Sequence, residues 1–310
     1  MLEVVEVSAG WAPVAALLVV LAALWAGCLE GALRARSAGS AAARGWSAPV
    51  AEVARLLRQR RRTLVAADRL LWRLGGGGLL VAALLMVAVV PLGRWTLADL
   101  SVGVVWFNAM DVLVWALVWM AGWGPNSAHA LVGGYRFLAQ ALAYELPLMF
   151  ALTAPAVAAG SLRVGDLVTA QQDLWFAVWM PVAFVVFCAG VVAFSAWGPL
   201  SAAAGGDIAG GVLAEVSGVD RLLLLAGRYA LLVAGSAFAV AAFLGGGAGP
   251  WLPEWFWMPL KTLLLLSVLV AVRGRLPVLR PDRLVELGWV VLLPLTLLQL
   301  LVVSVVVVVR

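Results

Sequence analysis

Eight long apolar stretches divide this 310-residue chain, and they constrain its fold more than any other feature. Because a helix needs about 20 apolar residues to cross the hydrocarbon core, each stretch is a candidate membrane span. Only 12% of the residues are charged, whereas a soluble domain has about 25%. We therefore predict an all-α polytopic membrane protein that forms a single domain over residues 1–310. The predicted spans are residues 12–29, 75–92, 102–122, 130–159, 174–197, 222–244, 257–272 and 287–309.

Arginines distinguish the two sides of the membrane. The loop from Arg34 to Arg73 holds ten of them against two acids, and the loop between the last two spans adds four more. Because short basic loops stay in the cytoplasm, we predict that both termini lie on the outer face. The high Ala, Gly, Arg and Val content indicates a GC-rich bacterial source, and hence a bacterial plasma membrane. The predicted cytoplasmic loops are residues 30–74, 198–221 and 273–286.

Residues 47–60, in the first of these loops, have the pattern of a cytoplasmic amphipathic helix. Val50, Val53, Ala54 and Leu57 recur at helical spacing, and charged residues occupy other positions. We expect this helix to lie on the membrane surface or beneath a partner protein.

Glu145 lies in the fourth predicted span, where a charged side chain is energetically unfavourable. A carboxylate in hydrocarbon costs about 2.5–3.5 kcal/mol on insertion scales, so it needs a partner, a water-filled cavity or a proton. Arg136, Gln140 and Tyr144 recur every four residues on one helix face, and Glu145 points about 140° away from Gln140. We therefore expect its partner to come from another helix or subunit. Two roles fit, a step in a proton path and a structural hydrogen bond between helices.

Two further ionisable residues lie in predicted spans. Asp111 is central to the third span, and Asn108 lies one turn earlier on the same face. Lys261 enters the seventh span just after Pro259. A buried polar chain of one lysine and two acids is typical of proton relays. The alternatives are one structural bond between helices for Asp111 and snorkelling of Lys261 to the outer interface.

Motifs of soluble enzymes are missing from the sequence. The glycine runs at 75–78 and 245–249 lack the G-x-G-x-x-G spacing of dinucleotide sites, and no Walker pattern occurs. Cys28, Cys188 and His129 have no neighbours at metal-ligand spacing. Basic and aromatic residues do not interleave as they do in single-stranded nucleic-acid sites. We therefore predict no metal site and no nucleic-acid partner, and we expect partner proteins to supply any redox cofactor.

Two long segments resemble a known family. Residues 122–136 read G-W-G-P-N-S-A-H-A-L-V-G-G-Y-R and residues 140–147 read Q-A-L-A-Y-E-L-P, while residues 257–261 read W-M-P-L-K and residues 272–284 read V-R-G-R-L-P-V-L-R-P-D-R-L. They resemble the H-type membrane subunit of respiratory complex I, the proton-translocating NADH–quinone oxidoreductase. The family patterns include Q-x-x-x-Y-E-x-P and R-x-x-x-P-R-x-R-x-D-x-L. The resemblance covers nearly the whole chain and agrees with eight spans.

The resemblance implies a subunit that joins a soluble redox arm to a membrane pump. It implies a quinone cavity shared with iron–sulfur arm subunits, antiporter-like membrane subunits as further partners, and carboxylates that lead protons into the membrane. The resemblance places Glu145 at a channel glutamate of the family and Arg136 at a buried arginine. The proton path that we predict comprises Glu145, Glu215, Asp207, Asp111, Arg136 and Lys261. The quinone cavity residues that we predict for this chain are Arg34, Arg36, Glu52, Arg55 and Arg228. The implied structural or interface residues are Asp68, Gln140, Arg273, Arg280 and Asp282.

Departures from the family pattern leave alternatives open. The loop at 203–218 keeps only Asp207 and Glu215 where the family loop is rich in acids, and Arg228 stands where the family has a glutamate. The family's R-x-G-P-N-x-x-G loop has become R-S-A-G-S at residues 36–40. The main prediction is a quinone-site and proton-coupling subunit of a complex I-like enzyme. The alternatives are the equivalent membrane subunit of an energy-converting hydrogenase-type complex and a docking anchor that has lost coupling.

Overall fold

The described residues are mostly helical. The structure, a computed structural model, describes residues 4–273 and 275–309. Within these residues, seven helices are long and apolar enough to cross a membrane, as judged by length and composition. This confirms the predicted all-α polytopic membrane fold. The helices are α1 (Ala12–Ser37), α2 (Ala42–Trp46), α3 (Ala48–Arg58), α4 (Arg69–Val87), α5 (Gly103–Trp123), α6 (Ala128–Ala159), α7 (Val164–Thr169), α8 (Phe176–Trp179), α9 (Pro181–Phe194), α10 (Gly218–Phe243), α11 (Glu254–Arg273), α12 (Pro281–Leu287) and α13 (Leu293–Val309).

Shorter elements connect the helices. A parallel pair of two-residue strands, β1 (Val5–Glu6) and β2 (Trp95–Thr96), ties the N-terminal segment to the turn between α4 and α5. A 3-10 turn precedes α1, and a π-helical segment joins α12 to α13. Between α9 and α10 the chain forms short 3-10 helices that pack against α6, which brings the acids of this loop to the first turns of that helix. Those that pack against α6 are Ala202–Ala204, Gly206–Ile208 and Gly211–Leu213, whereas Gly198–Leu200 packs against α9 and α11.

The predicted fifth span, residues 174–197, is interrupted. It consists of α8 and the 14-residue α9, which meet at Met180. A proline has no N–H to donate and disfavours helical geometry in the residue before it, and Met180, which precedes Pro181, has φ −121° and ψ 50°. The apolar α9 is therefore shorter than the seven long helices, although it packs against both α6 and α10. The other seven predicted spans each overlap one long helix.

The predicted amphipathic helix is present as α3. Its one buried apolar side chain is Leu56, and α3 packs against α1 and α10. Of the predicted apolar face, Val50 and Leu57 are 62% and 59% exposed. Leu56 therefore packs against the rest of the chain, whereas Val50 and Leu57 of the predicted apolar face do not. Val50 and Leu57 remain available to lipid or to a partner protein.

Aromatic side chains fill the centre of the bundle. Phe107 of α5 stacks on Phe238 of α10 with ring centroids 3.9 Å apart, and Phe187 of α9 packs against both rings. Helix backbones approach closely where glycine replaces a side chain, because a Cβ added to Gly75 of α4 would lie 2.4 Å from the amide nitrogen of Ala121 on α5. This core fixes α4, α5, α9 and α10 as the frame against which α6 presents its polar residues.

Helix α6 is the element that carries most of the candidate residues. It runs as one 32-residue helix although it contains Pro147 and Pro155. Since a proline cannot donate to the carbonyl one turn earlier, Pro147 leaves the Ala143 carbonyl without its helical donor. The π-helical segment crosses α6 at this place, where Trp289 donates its indole N–H to the Leu142 carbonyl at 3.2 Å.

Candidate functional site

A polar cluster lies between α5 and α6, deep in the bundle. Asn108 and Asp111 are three residues apart and so lie on one face of α5. Tyr144 Oη donates to Asp111 Oδ1 at 3.1 Å, and Trp115 Nε1 donates to Tyr144 Oη at 3.2 Å. Asn108 Nδ2 donates to Glu145 Oε1 at 3.1 Å. The expectation that Glu145 finds its partner on another helix is therefore fulfilled by Asn108.

Both acids of this cluster are buried, and each has one oxygen without a partner. Asp111 is 0% exposed and Glu145 is 8% exposed. Asp111 Oδ2 and Glu145 Oε2 are buried and have no hydrogen-bond partner among the described atoms. Among the residues that the structure describes, no arginine, lysine or histidine pairs with either acid. The cluster thus holds two carboxyl groups without a cationic partner inside the bundle, one bonded to Asn108 and the other to Tyr144.

Polar residues on one face of α6 lead from this cluster to one end of the helix bundle. We call it the arginine-rich end, because Arg61, Arg62 and Arg136 lie there. Arg136 Nη1 lies 2.6 Å from Asp207 Oδ2, and Gln140 Nε2 donates to the Ala193 carbonyl of α9 at 2.7 Å. Tyr144, four residues further on, reaches Asp111. The four-residue spacing predicted this stripe, and Arg136 does not pair with Glu145 in agreement with that prediction. We call Arg136, Gln140 and Tyr144 the α6 polar stripe.

The two acids of the loop between α9 and α10 lie near the start of α6. Asp207 is largely exposed, and its hydrogen bond from the Arg136 guanidinium lowers the pKa of its carboxyl. Glu215 accepts from Ser127 at 3.0 Å and pairs with Arg62 at 2.7 Å. Both loop acids are therefore bound to cations at the arginine-rich end, and neither contacts the buried pair directly.

A second buried cluster surrounds Glu30 of α1, which is 4% exposed. Glu30 forms ion pairs with Arg34 and Arg273 and accepts a hydrogen bond from Tyr229. These contacts join α1 to α10 and α11. Sequence reasoning missed Glu30, although its place at the end of an apolar run and four residues before Arg34 was a signal for an ion pair.

The family comparison agrees with this architecture. The family model described as NADH dehydrogenase matches residues 10–304. The chain belongs to the NADH dehydrogenase family. It is 36% identical over 265 residues to the NADH-quinone oxidoreductase H-type subunit, numbered 1, of Geobacter metallireducens, with 82% of this chain and 80% of that protein covered. The form numbered 2 of Geobacter sulfurreducens gives the same identity and coverage, and the form numbered 1 of Rhodopseudomonas palustris is 35% identical over 263 residues, with 84% and 82% covered. The predicted family, the H-type subunits of NADH–quinone oxidoreductase, is thereby confirmed.

In this member of the NADH dehydrogenase family, Arg228 contacts backbone rather than an acid. Its guanidinium donates to the Ser195 carbonyl at 3.3 Å and to the Ala196 carbonyl, and it lies over the Trp197 ring. Arg273 lies over the same ring, with its guanidinium carbon 4.7 Å from the centroid. The two arginines thus hold the segment that follows α9, where the chain has left its helix and its carbonyls need donors.

Among the described residues, Lys261 forms an ion pair with no acid. Its Nζ donates to the carbonyls of Leu244, Gly246 and Ala248 at 2.7, 3.1 and 2.6 Å, and it lies 4.4 Å from the Trp175 ring centroid. The lysine therefore closes the loop after α10. This geometry favours a structural role over a step in the proton path.

The remaining predicted residues lie at the arginine-rich end. Glu52 and Arg55 pair with each other on α3, and this hydrogen bond lowers the pKa of the Glu52 carboxyl. Asp68 caps α4 by accepting from the amides of Leu70 and Leu71. The structure brings none of these described side chains to the Asp111–Glu145 pair. The others, Arg36, Arg280 and Asp282, are exposed, and the last two pair at 3.2 Å.

Proposed function

We propose that this chain is a membrane subunit of a complex I-like NADH–quinone oxidoreductase. In that assembly it helps to form the quinone site and couples quinone reduction to proton translocation. Family membership over residues 10–304 supports the assembly. The observation that carries the coupling is the buried Asp111–Glu145 pair, which the α6 polar stripe connects to the arginine-rich end.

The arginine-rich end is the cytoplasmic end in this proposal. The positive-inside rule supports that orientation, which puts both termini on the outer face of a bacterial plasma membrane. Iron–sulfur arm subunits bind at this end and deliver the electrons, and antiporter-like membrane subunits continue the membrane arm. Quinone binds as substrate in a cavity that this chain shares with the arm subunits. The exposed apolar residues Val50 and Leu57 of α3 and the basic Arg34 and Arg36 supply part of its wall.

In this proposal, a change of charge at the quinone site couples quinone reduction to proton movement. Quinone reduction consumes electrons and protons at the cytoplasmic end, so it changes the charge next to the loop acids. At an effective dielectric of about 20, one charge at about 6 Å is worth roughly 3 kcal/mol, or about two pKa units. Such a change is large enough to open the Arg136–Asp207 ion pair. The distance from Arg136 to Tyr144 along α6 is about 12 Å, and Gln140 carries no exchangeable acid proton, so water must complete the path to Asp111.

Proton pumping by vesicles tests the proposal. Replacing Glu145→Gln in the assembled complex keeps the shape of the side chain and removes its acid. We expect the number of protons moved per NADH oxidised to fall while assembly and quinone reduction fall much less. Glu286→Gln is the matched control, because Glu286 is an exposed glutamate that pairs with Arg283. Pumping at the native ratio in Glu145→Gln vesicles would overturn the proposal.

A second candidate is the equivalent membrane subunit of an energy-converting hydrogenase-type complex. The loop at 203–218 favours it, because its two acids are both engaged with arginines and leave few free carboxylates beside a quinone. The proteins that copurify with the chain distinguish the candidates. A module that binds NADH and flavin supports the first, and a nickel–iron large subunit supports the second. Normal quinone reduction without a proton gradient would instead indicate a docking anchor that has lost coupling.

A further inference from the structure

A basic cleft lies at the arginine-rich end, between the linker that precedes α4 and the first turns of α4 and α10. Its volume of about 70 Å³ leaves room for several waters or for one phosphate group. We propose that this cleft binds the phosphate of an anionic phospholipid whose acyl chains lie along α4. The residues that line the basic cleft include Arg61, Arg62, Arg69, Trp72, Arg73 and Asp220.

Cations outnumber acids around the basic cleft, because four arginines line it against one acid. Two of the arginines are paired, Arg61 with Asp220 at 3.5 Å and Arg62 with Glu215 at 2.7 Å. Among the described residues, Arg69 and Arg73 form no ion pair. These two are four residues apart on one helix face, so their like charges repel each other. An anion bound between them relieves that repulsion.

Trp72 adds a hydrogen-bond donor that has no acceptor. The residue is 8% exposed, and its Nε1 is buried without a hydrogen-bond partner among the described atoms. Because an indole N–H only donates, and because a buried donor without an acceptor costs free energy, the missing group is an acceptor. Charged guanidinium donors beside a neutral N–H suit a phosphate, which offers several acceptor oxygens.

Backbone bonds hold the walls of the basic cleft in place. Ser217 Oγ accepts from the Arg62 amide at 2.6 Å and donates to the Arg60 carbonyl at 3.1 Å, which ties the linker to the start of α10. The Asp68 amide donates to the Gly124 carbonyl at 2.8 Å, which ties the start of α4 to the end of α5. The arginines therefore project from a fixed backbone, and a ligand does not have to order the linker when it binds.

The position of the basic cleft favours a lipid over a soluble anion. Helix α4 has 19 residues and is thus about 28 Å long, close to the thickness of the hydrocarbon core. Its first turn, which carries Arg69, therefore lies at the level of the lipid headgroups. Basic pockets between membrane helices bind such headgroups.

An apolar stripe on α4 begins beside the basic cleft. Leu70, Leu74 and Val81 are 68%, 50% and 55% exposed. Spacings of four and seven residues put the three side chains on one face of the helix. A lipid whose phosphate lies in the cleft therefore has an apolar surface for its acyl chains directly below, which a free phosphate does not need.

Native mass spectrometry of the full chain in detergent measures the binding. The probe is dioleoyl phosphatidylglycerol, and the zwitterionic dioleoyl phosphatidylcholine is the comparison lipid. We expect the wild type to retain phosphatidylglycerol in preference to phosphatidylcholine. Arg69→Gln/Arg73→Gln should bind phosphatidylglycerol at least about tenfold more weakly. Arg58→Gln/Arg275→Gln is the matched control, because it removes the same charge from two exposed arginines outside the cleft, and it should bind like the wild type.

Photo-crosslinking gives a second measurement that needs no substitution. Phosphatidylglycerol with a photoreactive acyl chain is added to membranes that contain the wild-type chain, and the labelled peptides are mapped. We expect crosslinks within residues 70–81 of α4. This measurement decides the question if Arg69→Gln/Arg73→Gln does not fold.

Three results would overturn the proposal. Equal weakening in both double variants would show a general attraction to positive charge. Displacement of phosphatidylglycerol by inorganic phosphate would show a site for the free anion. Crosslinks confined to other helices would leave the arginines to an acidic partner protein. None of these measurements depends on proton pumping, so the lipid site stands or falls separately from the proposed function.

Discussion

The side-chain amide of Gln140 donates to the carbonyl oxygen of Ala193 at 2.7 Å, near the end of α9. Gln140 is 1% exposed, so this bond is shielded from water. The contact fixes α9 against the α6 polar stripe between the exposed Arg136–Asp207 pair and the buried Asp111–Glu145 pair.

We expect Gln140→Leu to lower the free energy of unfolding by about 0.5–1.5 kcal/mol, because the bond from α6 to the Ala193 carbonyl is lost while that carbonyl keeps the Ala196 amide at 2.9 Å. Denaturant or thermal unfolding of the purified chain in detergent measures the loss. Gln172→Leu is the control at an exposed glutamine, where the change should stay within about 0.5 kcal/mol. Equal stability of both variants would show that the Gln140 contact does not hold α9.

The glycine run of α4 offers a matched pair of substitutions. A Cβ at Gly75 would lie 2.4 Å from the Ala121 amide nitrogen, whereas at Gly77 the nearest heavy atom is 4.0 Å away. We expect Gly75→Ala to destabilise the chain by about 1–3 kcal/mol because α4 and α5 must separate. Gly77→Ala should be neutral or stabilise it by up to about 1 kcal/mol, since alanine is the better helix former. Similar melting temperatures for the two variants would contradict the close α4–α5 approach.

The Arg136–Asp207 pair predicts a particular pH dependence of stability. Arg136 lowers the pKa of Asp207 in the folded chain, so the pair stabilises the fold above the unfolded-state pKa of about 3.9 and loses that effect as the pH falls through the folded-state pKa. Asp207→Asn should therefore melt below the wild type near neutral pH, and the difference should shrink below about pH 4. A difference in melting temperature that is constant down to acid pH would show that the pair contributes nothing through its charge.

Lys261 provides a test of its structural role. Lys261→Met removes an ammonium that donates to three carbonyls, and we expect a loss of at least about 2 kcal/mol in unfolding free energy. Hydrogen exchange should rise in residues 244–249. Leu264→Met, on an exposed position of the same helix, is the control. Unchanged stability together with lost proton pumping in Lys261→Met would return Lys261 to the proton path.

Hydropathy and helical spacing predicted the features that depend on one segment at a time. Seven predicted spans overlap long helices, and the stripe from Arg136 to Tyr144 follows from a spacing of four residues. The break before Pro181 could have been predicted from the sequence, because a proline disfavours helical geometry in the residue before it. Hydropathy averaged over a whole span does not register that break.

Contacts between distant segments could not be predicted in the same way. The pairing of Asn108 with Glu145 depends on how α5 and α6 are rotated against each other, and a single sequence does not fix that rotation. Lys261 is an ionisable residue in a predicted span, as proton-relay residues are. Only the path of the loop at 244–249 shows which groups it binds. Arg228 likewise meets carbonyls that become available only because α9 ends at Phe194.

The Glu30 cluster has a consequence for the order in which the chain is made. Arg34 follows Glu30 by four residues, so synthesis at about 5–20 residues per second supplies this partner within about a second. Arg273 lies 243 residues after Glu30, and the same rate delivers it roughly 12–50 seconds later. The first helix therefore enters the membrane with its acid neutralised by a local arginine. Its ion pair with α11 can form only after residue 273 has been synthesised.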